Sequence, residues 1–63
     1  MSVEQMKIRI LDLVDRQALI IDPNDREFIL GLAALLEMDE PVDGRYAERV
    51  GRIWAKVQEN SVG

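Results

Sequence analysis

Pro23 and Pro41 are the only prolines in the chain, and each stands where a helix can begin. Proline has no backbone N–H and its φ is fixed, so it suits the first turn of a helix and breaks an interior. A helical chain with this sequence is therefore divided at both points. The residues around the prolines agree. Asp22-Pro23-Asn24-Asp25 supplies an N-cap acid, a proline at the first helical position and a further acid in the first turn. Asp43-Gly44, after Pro41, is a weaker start of the same kind. Ser2 followed by Gln5 has the capping-box pattern. The Asn-Gly pairs typical of hairpins are absent. These signals predict an all-α chain with helices at about 3–19, 23–37 and 44–59.

The apolar spacing supports that division. Val3, Met6, Ile10 and Leu13 recur at steps of three and four with Val14 beside them, which is one face of an amphipathic helix. Ile8 and Leu19 lie off the stripe. In the third segment Tyr46, Val50, Ile53, Trp54 and Val57 share one face. Ala47, Gly51 and Ala55 form a strip of small residues along which another backbone can approach closely.

The middle segment differs. Residues 28–36, FILGLAALL, contain no charge. At 100° per residue Phe28, Ile29, Leu32, Leu35 and Leu36 form one broad apolar face. Leu30 points nearly opposite, and Gly31 and Ala34 make a narrow strip beside Glu27. A helix apolar on all sides is normally covered on all sides. Either the two short neighbours cover it, leaving a compact three-helix unit with Leu30 partly exposed, or a second copy of the chain or another protein covers the remainder. The expectation is a small three-helix bundle completed by self-association through Leu30, Gly31 and Ala34, with a symmetric homodimer the commonest form.

Sixty-three residues make one helical domain, 1–63, at most. A core of that size is marginal and ordinarily needs disulfides, a metal, good helix packing or oligomerisation. With no cysteine and no histidine, disulfides and the usual zinc sites are excluded. No segment approaches the roughly 20 apolar residues that span a bilayer. The first residues mix charges into their apolar positions, unlike a signal peptide. The expected location is the cytoplasm. No cofactor and no metal are expected.

The same composition leaves little for catalysis. There is no histidine base and no cysteine nucleophile, and Ser2 and Ser61 lie near the ends of the sequence. Asp22 and Asp25 read as helix-start acids. Asp12 and Asp15, three apart, fit a solvated face better than a ligand site. Residues 38–44 lack the ligand spacing of a calcium loop. The chain is not expected to be an enzyme.

One charge pattern stands out. The net charge is −4, yet Arg45, Arg49, Arg52 and Lys56 follow one another at steps of four, three and four on a single helical stripe. One reading is a solvated face with Glu48 and the acids at 37–40 as neighbours. The sharper reading is a docking stripe for an acidic surface, because the planar guanidinium binds carboxylates in a bidentate way. The expected function is a small non-catalytic protein-binding module, an adaptor, inhibitor or regulator of a larger protein, acting as a homodimer. The alternatives are a nucleic-acid-associated regulator using the same stripe and a purely structural self-assembling subunit. An acidic protein partner is favoured over nucleic acid, because phosphate repels a negative molecule.

Overall fold

The computed structural model describes residues 2–61 and holds among them three α-helices and no strand. They are α1 (Val3–Asp15), α2 (Pro23–Glu37) and α3 (Ala47–Ser61). Single 3-10 turns at Gln17–Leu19 and Gly44–Tyr46 precede α2 and α3.

Each helix begins where its cap stands. The Gln5 N–H donates to the Ser2 hydroxyl at 3.2 Å, and the Ser2 N–H donates to Gln5 Oε1 at 3.3 Å, which closes the capping box. The Asp22 carboxylate accepts the Asn24 N–H at 2.9 Å, with Pro23 opening α2. The Asp43 carboxylate accepts the Arg45 N–H and caps the 3-10 turn before α3.

Two boundaries differ most from the sequence expectation, and α3 also runs two residues further than expected, to Ser61. The first helix does not run to residue 19. It stops at Asp15, and the chain tightens at Gln17–Leu19, where the Leu19 and Ile20 N–H groups donate to Arg16 and Gln17 carbonyls. The reason lies in Leu19, which is off the α1 stripe. The tighter turn lets Leu19 pack against the core and buries Ile20 in it. The third helix opens with the 3-10 turn, so Arg45 and Tyr46 precede the α-helix proper.

The core is one cluster. Met6, Ile10 and Leu13 of α1 meet Ile29 and Leu32 of α2 and Val50, Ile53 and Val57 of α3, with Ile20 and Val42 added from the connections. Among the described residues no polar or charged one is buried with them. Val3, expected on the α1 stripe, is half exposed because its turn lies at the start of the helix, short of the cluster. The helix backbones approach most closely where α1 meets α2 and where α1 meets α3. Thus α1 is the element on which both others rest. The α2 helix meets α3 and the turn before it through side chains: Arg49 of α3 lies over the Phe28 ring, and the Tyr46 ring of the turn meets Phe28 edge to face, with centroids 5.5 Å apart.

The end of α2 has no glycine, yet it closes as a Schellman motif. The Asp39 N–H donates to the Leu36 carbonyl at 3.1 Å and the Glu40 N–H to the Leu35 carbonyl at 2.9 Å. Asp39 takes the left-handed conformation, with φ 58°.

Candidate functional site

The basic stripe is divided by the fold. Arg49 extends from α3 toward the first turn of α2, where its Nη2 lies 3.3 Å from Asp25 Oδ1. Its guanidinium also lies over the Phe28 ring, 4.1 Å from the centroid. Arg45 is held by Asp43, with Nε donating to Oδ2 at 2.8 Å. That contact has an electrostatic signature. The Asp43 carboxyl is held below its ordinary range, first by the Arg45 backbone N–H and then by the Arg45 side chain. Arg52 and Lys56 are exposed, and among the described residues no carboxylate lies within ion-pair distance of either. The acids expected beside the stripe, Glu48 and those at 37–40, are not its partners. Asp25 and Asp43 are, because the packing of α2 and the turn before α3 bring those carboxylates alongside.

Arg49, Arg52 and Lys56 border a cleft of about 270 Å³ against Asp22 and Asp25 at the start of α2. The cleft continues into a second, largely apolar recess of about 260 Å³ lined by Leu19, Ile20, Ile21, Ile53 and Val57, with Asp22, Asp25, Ile53 and Lys56 shared between the two. Asn60 ties α3 to the 3-10 turn there, Nδ2 donating to the Leu19 carbonyl at 3.4 Å. Ile21 stands at the lip, 79% exposed. The sequence offered no sign of this recess. Ile20 and Ile21 belong to no helical stripe, and their placement follows from the tight turn after α1.

On α2, Leu30, Gly31 and Ala34 all lie on the exposed side. Leu30 is 38% exposed, at the outer edge of what the neighbouring helices cover. A Cβ built on Gly31 would meet nothing within 4 Å.

A further polar cluster, with no signal in the spacing of the residues, lies at the seam of α1 and α3. Trp54 is half buried, and its Nε1 donates to Asp12 Oδ2 at 3.0 Å. Arg16 donates to the same oxygen. The Arg9 guanidinium lies over the Trp54 ring, 4.5 Å from the centroid. The Asp12 carboxyl is held below its ordinary range, chiefly by the Arg16 hydrogen bond and further by Trp54, against an opposing contribution from desolvation. Asp15 is exposed and takes no part, so the two α1 acids do not converge on one ligand. Among the described residues no three acids gather as a metal site would require. No helix among them is long and apolar enough to cross a membrane.

Compared with known proteins, the chain matches no family model, no curated protein and no solved structure.

Proposed function

We propose that the chain is a small protein-binding module that holds an acidic surface of a larger partner through the exposed end of its basic stripe. The observation that carries this reading is the division of that stripe. Arg45 and Arg49 have carboxylates of their own, whereas Arg52 and Lys56 are exposed with none in ion-pair reach among the described residues. Two neighbouring cations beside an apolar recess suit a carboxylate-bearing protein surface. The net charge of −4 works against a nucleic-acid backbone as partner.

The test is affinity capture from the native host with the wild type and with Arg52→Glu/Lys56→Glu as baits. A partner held by the wild type, lost from the variant and free of nucleic acid after nuclease treatment supports the reading. A partner retained equally by both baits overturns it. Titration with duplex DNA and with RNA at low and high salt examines the nucleic-acid alternative, since phosphate binding weakens steeply with salt. Tight, salt-sensitive binding there would replace the acidic protein with nucleic acid.

Self-association through Leu30, Gly31 and Ala34 is the second part of the proposal. It is supported by the exposure of all three on one side of α2 and by the open space around Gly31. A mid-helix glycine costs about 0.5–1 kcal/mol relative to alanine, and nothing within the chain requires it at this position. Sedimentation equilibrium over a wide concentration range decides the matter. A dimer that Leu30→Glu converts to monomer supports it, and a wild type that stays monomeric removes it.

A further inference from the structure

The furrow between the start of α2 and α3 has two chemically different ends. Its polar end carries Arg49, Arg52 and Lys56 against Asp22 and Asp25. Both acids already have partners: Asp22 caps α2 and Asp25 meets Arg49. Its other end is the recess of Leu19, Ile20, Ile21, Ile53 and Val57, whose rim Asp22, Asp25 and Lys56 share with the polar end. We infer that this furrow takes one extended or helical segment of a partner protein, with a large apolar side chain in the recess and a neighbouring Asp or Glu on Arg52 and Lys56. The inference rests on the protein-binding reading and specifies the chemistry of what is bound.

Shape and charge suit this occupant. The recess measures about 260 Å³ and opens into the polar cleft of about 270 Å³. A cavity of about 150 Å³ accommodates a benzene ring, so the recess matches one aromatic or branched aliphatic side chain. Lys56 borders the recess together with Asp22 and Asp25, and over the furrow as a whole the three bases outnumber these two acids, with Arg49 and Arg52 further along it. An apolar anchor followed by a carboxylate is complementary to both ends. Ile21 supports the same conclusion. It is a large β-branched residue 79% exposed at the lip, where it adds nothing to the core and would close over an inserted side chain.

The experiment uses the full chain as target for a displayed library of random dodecapeptides. The strongest binder is then synthesised with a fluorophore and titrated by anisotropy. The expected consensus is one large apolar residue within a few positions of Asp or Glu. Ile21→Ser should weaken the peptide about tenfold, and Arg52→Gln or Lys56→Gln by a similar factor, with the loss growing at low salt. Alanine in place of the peptide's apolar residue should weaken it tenfold or more, a change that leaves the protein untouched. Ile21 is exposed, so Ile21→Ser should keep the helical circular dichroism spectrum of the wild type. A peptide lost on Arg52→Gln and Lys56→Gln but indifferent to Ile21→Ser and to its own apolar residue overturns the recess and leaves the basic stripe standing. A peptide indifferent to all of these changes overturns both. A library that yields no binder overturns the furrow, as does a dimer that Ile21→Ser dissociates, which would identify the occupant as a second copy of the chain.

Discussion

Asp39 closes α2 with a φ of 58°, a conformation that glycine adopts at no steric cost and other L-residues rarely adopt. Asp39→Gly should therefore stabilise the chain by roughly 0.5–1 kcal/mol in urea denaturation. An unchanged or lowered midpoint would mean that the Asp39 side chain supplies something the backbone geometry does not reveal. Asp12 gives a pH prediction. Its folded pKa is depressed by Arg16 and then Trp54, so its contribution to stability is complete above the ordinary value of 3.8 and is lost as pH falls through the lower folded value. Trp54 fluorescence should change in acid with a midpoint below 3.8, and Asp12→Asn should remove that step. A wild-type midpoint at or above 3.8 would contradict the pairing. The caps at Ser2 and Asp22 were legible in the sequence because each joins residues two or three apart. The Trp54–Asp12 bond spans 42 positions, and periodicity, which had set Trp54 on the core face, carries no information about such a pairing.

The three helices and their buried faces were legible because each face repeats at the helical period over several turns. The stop in α1 was not. It depends on where the rest of the core lies, which decides whether Leu19 and Ile20 turn inward. The same applies to the connection at Val42, buried without any periodic signal. Within α2 the two sides should respond differently to a carboxylate. Leu32 is buried in the cluster, so Leu32→Glu should unfold the chain, because it forces a charge into an apolar core. Leu30→Glu should leave the helical circular dichroism spectrum intact. Equal loss of structure in the two variants would contradict this packing. Gly31→Ala adds a methyl group where nothing obstructs it and should stabilise the folded chain by about 0.5–1 kcal/mol. If the strip is an interface, the same change should weaken association, which sedimentation would detect.

At the scale of the whole molecule, one helix carries two others, and the furrow left between those two holds Arg52 and Lys56, the two bases of the stripe with no carboxylate in ion-pair reach among the described residues. The stripe itself was legible from spacing alone. Its division was not, because Asp25 and Asp43 reach it through tertiary packing and through a turn. Arg49 combines a partly exposed ion pair with a position over Phe28, contacts that together amount to about 1 kcal/mol. Arg52 and Lys56 have no such contact, and surface changes of that kind stay within about 0.5 kcal/mol. Urea denaturation of Arg49→Gln, Arg52→Gln and Lys56→Gln therefore tests most directly whether the fold uses one part of the stripe and leaves the other for a partner. The expected result is a loss of about 1 kcal/mol for Arg49→Gln and essentially wild-type stability for the other two. A loss for Arg52→Gln or Lys56→Gln as large as that for Arg49→Gln would contradict the account, because the whole stripe would then belong to the fold.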